Sequence, residues 1–497
     1  MTLNSDNFKK ERIGGRMKKG QVIMIIAIMI SLLTITGSTV FAVFMIRASK
    51  EDKGETISYD TFAAWTDIEE FKDVPTITGA NIKIGEAENY GASNNMVDVN
   101  GTTVEEYKAY LKTLEAAGFK KHSDNGEEAM EGYAYTAAYQ KGDLAVIVSH
   151  VIKGNKTYIS AMKDVQLSDR MIYKDEYMKD VPAGAKTKLH LMEINNNGAC
   201  IIIQLKNGNF VIHDGGTAND APYLLDYLEE LTPGDKIPVV EGWFISHPHG
   251  DHYGALQEIG KKTSYLKRIY INEIFYHAPA DEMLSHTDGD VVTSQLLSQI
   301  HGLYRDENGE MTKGFYPQLG QRFYFCDVVI DVTMTTDQMS STTANWDSND
   351  TSSWFMMYIE NQKILIGGDA YHASQRTLMN MFDRSYLTMD VFVVCHHGIN
   401  VYSYFNEYIT AKTALYPSFK VGSMYTNKYP QFARVEENKQ LQEMVEESYA
   451  VDAGTVILTF PYKVGSVEKT EPCDWRYNGG IPKDRYTTNW GWGYEGE

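Results

Sequence analysis

The sequence predicts an α/β protein: a large sheet-rich body, preceded by a small α+β domain and one N-terminal transmembrane helix. Three observations carry this expectation. From Lys188 onward, apolar runs of strand length alternate with turns, and helical stretches lie between some of them. Between Ile57 and Val165, a capped helix precedes three strand-like runs. Val22 to Ile46 is a run of 25 residues without a charge, long enough to span a bilayer with some tilt.

Taken in order, residues 1–21 form a basic arm. Lys9, Lys10, Arg12, Arg16, Lys18 and Lys19 outnumber Asp6 and Glu11, so the arm carries +4 and the remainder −24 of the formal −20. Basic residues ahead of an apolar span place the arm in the cytoplasm and everything after Arg47 outside. The expectation is a single-pass signal anchor at 22–46. The alternative is a cleaved signal peptide, for which Val40-Phe41-Ala42 offers a loose cleavage site and after which the protein would be secreted. The apolar run continues past Ala42, which favours the anchor.

Lys50 to Glu55 reads as a charged tether. In the small domain at 57–165, Thr103 and Glu106 form a capping box, Val104, Tyr107, Leu111 and Leu114 share one helical face, and Gly118 ends the helix. Strand-like runs follow at 133–139, 144–151 and 157–162. No cluster of His, Cys or paired acids lies there, so the domain reads as a spacer or recognition module. Residues 166–186, punctuated by Pro182-Ala183-Gly184, read as a linker.

The body at 187–465 shows strand runs at 189–194, 200–205, 210–212, 268–274, 323–333, 354–359, 363–366, 391–395 and 455–460. Helical stretches are expected at 221–231, 374–382 and 436–446. The tail at 466–497 is rich in Trp, Tyr and Gly. It offers rings for a sugar or an organic cation, but such tails more often pack on their own domain. The chain has 43% hydrophobic and 23% charged residues, a globular balance. Its acidic body disfavours nucleic acid as a partner without excluding it. Cys200, Cys326, Cys395 and Cys473 are too few and too scattered for a disulfide framework.

The chemistry concentrates at His247-Pro248-His249-Gly250-Asp251-His252, directly after the apolar run from Val239 to Ile245. Residues two apart share a strand face, so His247 and His249 can enter one pocket. Imidazole and carboxylate together suit zinc, manganese or iron. A polar loop that is His-rich by coincidence seldom shows this alternating spacing. Three further strand-like runs end on glycines with Asp or His beside them: Val211 to Gly216 with Asp214, Leu365 to Asp369, and Phe392 to Gly398 with His396 and His397.

These motifs resemble the metallo-β-lactamase-fold hydrolases over roughly residues 187–465. The His-x-His-x-Asp-His element matches without a gap. Asp369 matches that family's bridging aspartate and Asp214 its buried aspartate below the metals. Asn349-x-x-Ser352, Gly367-Gly368-Asp369 and His396-His397-Gly398 resemble the branch that holds ComEC-type DNA-uptake proteins and secreted phosphorylcholine esterases. The resemblance implies an αββα sandwich with two divalent ions, zinc first and manganese or iron as alternatives, at the sheet edges. The first ion would take His247, His249 and Asp369. The second would take Asp251, His252, Asp369 and one of the adjacent histidines, with His396 preferred and the reverse assignment open. Asp251 or His397 would handle the leaving-group proton, and Asp214 would orient ligands.

The sequence departs from the wider family at the third histidine of the first site. Between the main motif and Asp369 it offers His277, His286 and His301, none at a strand-to-glycine turn. The implied function is a membrane-anchored extracellular dinuclear hydrolase acting on a phosphodiester, either a small molecule or a head group. The acidic exterior is compatible with a cationic head group. The alternatives are a β-lactam or lactone hydrolase, and a catalytically silent metal-binding ectodomain with a sensory or binding role.

Overall fold

The computed structural model describes residues 65 and 69–471, other than 80, 82, 92–93, 127–128, 195–197, 278–301, 340–347, 400, 418–434 and 452–453. The basic arm, the apolar run from Val22 to Ile46, most of the tail, Cys473, His286 and His301 lie outside the described residues. Among the described residues no helix is long and apolar enough to cross a membrane. The described residues fall within one compact unit.

Six strands form the first sheet. They are β1 (Lys83–Gly91), β2 (Asn94–Asn100), β3 (Lys120–Asp124), β4 (Ala134–Lys141), β5 (Leu144–Val151) and β6 (Lys156–Lys163), in the order β1-β2-β6-β5-β4-β3 with every pair antiparallel. Helix α1 (Val104–Ala116) starts where the capping box requires. Glu106 N donates to Thr103 Oγ1 at 3.2 Å and Thr103 N to Glu106 Oε2 at 2.9 Å. Tyr107, Leu111 and Leu114 of α1 pack against Val97, Val146, Val148 and Ile159 of the sheet.

The sheet's other face is also apolar, and every residue of β5 is buried. Met96, Met130, Val151 and Tyr158 join one hydrophobic cluster with Trp354, Leu378 and Phe392, and Ala145, Ile147 and Met162 join another with Ile203 and Val328. A spacer would leave that second face to water. Here it is packed on the body, because buried residues alternate onto both sides of the sheet.

The body has two sheets. The first takes β7 (Lys188–Leu191), β8 (Cys200–Gln204), β9 (Phe210–Asp214), β10 (Val239–Ile245), β11 (Tyr270–Ile271), β12 (Glu273–Tyr276) and β13 (Lys313–Phe315), then β21 (Val456–Thr459) and β22 (Glu468–Lys469). Its order is β13-β12-β10-β9-β8-β7-β21-β22, with β11 also beside β10. The second takes β14 (Arg322–Phe325), β15 (Val328–Met334), β16 (Trp354–Ile359), β17 (Gln362–Ile366), β18 (Thr388–Val393), β19 (Thr410–Tyr416) and β20 (Glu447–Ala450), in sequence order.

Strand alternation sets the layers. Phe210 and Ile212 of β9 face helices, while Val211 faces the opposite sheet. Phe244 centres the inter-sheet core, with its ring 4.3 Å from Phe275 and 5.3 Å from Phe355 across the gap. Helices α2 (Ala221–Leu231) and α3 (Gly250–Lys261) cover the first sheet through Leu224, Leu228, Leu256 and Ile259. Helices α4 (His372–Met381) and α5 (Val435–Met444) cover the second through Leu378 and Leu441. The result is helix, sheet, sheet, helix.

Three local expectations change. The run at 323–333 is a hairpin, broken at Cys326 with φ 48°. The run at 268–274 divides into β11 and β12. The segment at 166–186 is docked: Met171 is buried, Ser168 Oγ donates to Glu273 Oε2 at 2.7 Å, and Arg170 Nη1 lies 2.9 Å from Glu241 Oε2. Cys200, Cys326 and Cys395 are buried and free.

Candidate metal centre

Parallel pairing brings the chemistry to one edge. Strand β10 runs parallel to β9 and β12, and β17 runs parallel to β18. His247 follows β10, His249 caps the N-terminus of α3, and Asp251 and His252 occupy that helix's first turn. Asp369 follows β17, and the turn Cys395–Gly398 follows β18.

Two glycines permit the close approach. A Cβ on Gly368, at φ 51°, would stand 2.5 Å from Ser246 Cβ, and one on Gly367 would stand 2.5 Å from the Trp354 ring. Only glycine lets the Asp369 turn lie this tightly against the end of β10. His396 and His397 sit at φ 50° and 55°, a region where non-glycine residues carry roughly 1–3 kcal/mol of strain each.

The side chains converge as two groups that share one carboxylate. Asp251, His252, Asp369 and His397 present ligand atoms within 4.8 Å of one another, and so do His247, His249 and Asp369. His397 Nε2 is 3.1 Å from Asp369 Oδ2 and 3.5 Å from Asp251 Oδ2. His252 Nε2 is 3.2 Å from Asp369 Oδ1, and His247 Nε2 is 3.8 Å from Asp369 Oδ2. His247 Nε2 and His249 Nδ1 lie 3.0 Å apart.

The far nitrogens of these rings are engaged. His252 Nδ1 lies 2.8 Å from Asp214 Oδ2, His397 Nδ1 lies 2.9 Å from Pro417 O, and His247 Nδ1 lies 2.9 Å from Ser246 Oγ. Nδ1–H donated to these oxygens leaves each Nε2 as a lone pair aimed at the cluster, which is how proteins orient metal-binding histidines. His252 Nε2, His397 Nε2 and Asp369 Oδ1 are buried and make no hydrogen bond, their mutual approaches being out of alignment. Buried polar atoms are ordinarily satisfied, so this cluster of acceptors has the form of a cation site.

Electrostatics agree. Burial opposes charge on His252, yet Asp369, Asp214 and Asp251 outweigh it and hold its pKa well above the usual value. Burial likewise opposes charge on His397, but Asp369 and Asp251 push it up to about 10. Burial would raise Asp369, and the histidines 252, 397 and 396 reverse that and hold it well below the carboxylate range. His247 goes the other way, lowered by burial and by its imidazole neighbours His252 and His249. Carboxylates this deep call for positive charge. Divalent ions would supply it, and the donor set of imidazoles and carboxylates fits them.

The structure thus brings together His247, His249, Asp251, His252 and Asp369. It exchanges the two adjacent histidines. His397 is the one inside the four-residue group. His396, preferred from sequence because it ends the strand, stands at the rim, its Nε2 3.8 Å from Asp369 Oδ2 and its side chain 18% exposed. The reason is the pair of left-handed residues, which turns the second ring inward and the first outward.

Asp214 lies beneath the cluster, fully buried at φ 59°. Its carboxylate accepts from Ser246 N at 2.8 Å and Ser246 Oγ at 2.9 Å, besides its contact with His252. No third histidine joins the first group among the described residues. His277, the candidate within them, holds Pro317 O through Nδ1 and Asp337 Oδ1 through Nε2, both at 2.8 Å. Sequence reasoning missed Ser246 as the link between Asp214 and His247. It also missed the support from Ser352, whose Oγ accepts Asp369 N at 3.1 Å. A serine directly ahead of the His motif was the available signal.

Residues 195–399 match the family model of the metallo-beta-lactamase superfamily. That span opens before β8 and closes after the His396-His397 turn, so it contains every residue of both groups. A comparison with curated proteins finds no match.

Proposed function

We propose that the chain is a membrane-anchored, extracellular, metal-dependent hydrolase acting on a phosphodiester. The observation that carries this reading is the pair of ligand groups sharing Asp369. His247, His249 and Asp369 would hold one ion, and Asp251, His252, Asp369 and His397 a second. Two bound divalent ions, zinc first, supply Lewis acidity toward a phosphoryl oxygen and make water nucleophilic near neutral pH.

The chain's own residues do the rest. Asp214 and Ser246 fix the His252 and His247 rings. Pro417 O fixes His397. Buried walls of Trp243, Trp354 and Ile245 keep bulk water from beneath the site, which strengthens each charge interaction inside it. His396, half-buried at the rim, is placed to hold the leaving-group oxygen by a hydrogen bond from Nε2. The choice of a phosphodiester rests on the resemblance carried by Asn349, Ser352 and the paired histidines. The extracellular placement rests on the basic arm and the apolar run at 22–46.

The test compares the full chain with His249→Ala and Asp369→Asn, measuring bound metal and hydrolysis of bis(4-nitrophenyl) phosphate. Both variants should lose metal and activity together, by more than the roughly 10- to 100-fold expected of a residue that only orients a ligand. Full activity in metal-free variants would sink the reading. A protein that holds two ions yet opens only lactones or β-lactams would change the substrate class. One inert toward all three would be a binding ectodomain.

A further inference from the structure

An aromatic wall leads away from His396. Tyr371 precedes α4 directly, two residues after Asp369, and its ring centroid is 6.2 Å from that of His396 at 75°. Tyr402 follows at 5.7 Å from Tyr371, and Tyr404 at 5.4 Å from Tyr402. His372 buttresses both tyrosines from α4, 5.4 Å from Tyr402 and 5.8 Å from Tyr404, each near perpendicular. Tyr371, Tyr402 and Tyr404 are all half-buried. The body of the wall is anchored, since Tyr402 and Tyr404 pack on the same hydrophobic cluster as Trp354 and Phe405. Its outer end carries a cation: the Arg376 guanidinium lies 5.5 Å over the Tyr404 ring and is exposed.

We propose that Tyr371, Tyr402 and Tyr404 form the subsite for one ester substituent of the substrate, and that this substituent is a planar aromatic group, neutral or anionic. The proposal takes from the hydrolase reading only that the phosphoryl group sits at Asp369. A substituent leaving that point past His396 meets Tyr371 first. Ring faces and edges accept planar groups in offset or edge-on contact. They would accept an organic cation as well, but Arg376 at the end of the wall repels one. The same guanidinium favours a ring bearing a further negative charge. The wall therefore selects against a quaternary ammonium head group, which overall charge alone would have favoured.

The experiment separates this from the hydrolase reading by measuring binding without turnover. Saturation-transfer NMR on the full chain, prepared without added metal, uses phenyl phosphate, methyl phosphate and phosphocholine as probes. Phenyl protons should saturate strongly, and methyl phosphate and phosphocholine weakly. Tyr371→Ala and Tyr402→Leu should each weaken phenyl phosphate binding by roughly fivefold or more, while Tyr402→Phe retains it. Arg376→Gln should raise phosphocholine binding relative to wild type. Equal phenyl signals in wild type and the Tyr371→Ala variant, with circular dichroism unchanged, would overturn the proposal, as would preference of the wild-type chain for phosphocholine. If no phosphodiester is ever hydrolysed but the phenyl signals behave as expected, the hydrolase reading fails and the subsite stands.

Discussion

At the scale of single residues, the decisive fact is which ring nitrogen faces the shared carboxylate. His397 Nε2 lies 3.1 Å from Asp369 Oδ2 and 3.5 Å from Asp251 Oδ2, whereas His396 Nε2 stands 3.8 Å from Asp369 Oδ2. His397→Ala should therefore strip metal from the four-residue group, and His396→Ala should retain it while slowing turnover. Equilibrium dialysis with zinc checks this, and equal metal content in the two variants would refute the assignment. Asp214 offers a cleaner probe. It sits at φ 59°, a conformation that asparagine tolerates well, so Asp214→Asn keeps the backbone and removes only the charge behind His252. Metal affinity should fall by about 10- to 100-fold with little change in fold. An unchanged affinity would show that the carboxylate does not support the ligand.

At the scale of elements, what could be read from sequence was what depends on local pattern. The capping box of α1, the bounds of α2 at Ala221–Leu231 and of β16 at Trp354–Ile359 follow directly from periodicity and caps. The convergence of His247, His249, Asp251, His252 and Asp369 was legible because each ends or follows an apolar strand. The choice between His396 and His397 was not, because two left-handed residues in succession leave no mark in composition. Nor was the docking of residues 166–186, whose polar look conceals Arg170 against Glu241 and Ser168 against Glu273. That docking has a measurable consequence. Burial pushes the Glu273 carboxyl up to about 7 from 4.5, and the hydrogen bond from Ser168 only partly offsets this. A carboxyl raised in the folded state binds more protons folded than unfolded between those values. Its stabilising effect is complete below about pH 4.5 and is lost as pH rises through about 7, a change of roughly 3 kcal/mol at most. Glu273→Gln removes the buried charge, so its melting temperature relative to wild type should be higher at pH 8 than at pH 5. The same difference at both pH values would show that the carboxyl is not desolvated.

At the scale of the molecule, the first sheet and the body share two hydrophobic clusters and should fold as one unit. A tethered spacer would meet the body through a small polar contact. Here Met130 N donates to Asp331 Oδ2 at 2.9 Å, and the same carboxylate is gripped by Arg322. Asn125 Nδ2 donates to Gly320 O at 3.2 Å, and a Cβ on Gly320 would collide with Thr136. Lys153, in the turn between β5 and β6, donates to Met379 O, Phe382 O and Tyr408 OH at 2.9–3.0 Å. The ammonium thereby caps the C-terminal end of α4, where a cation complements exposed carbonyls. The N-terminal end of the same helix carries Tyr371 and follows Asp369. The small domain therefore braces the element that borders the metal centre. Shared hydrophobic clusters make separate unfolding costly, since either part alone would expose Met96, Tyr158, Trp354 and Phe392 to water. Native-state hydrogen exchange should show amides of β5 and β16 losing protection at the same denaturant concentration, in one cooperative transition. Lys153→Met should shift both midpoints down together, by the roughly 1–3 kcal/mol expected when carbonyls lose a charged donor. Two separate transitions, with only β5 responding to the substitution, would mean that the first sheet is an independent module after all.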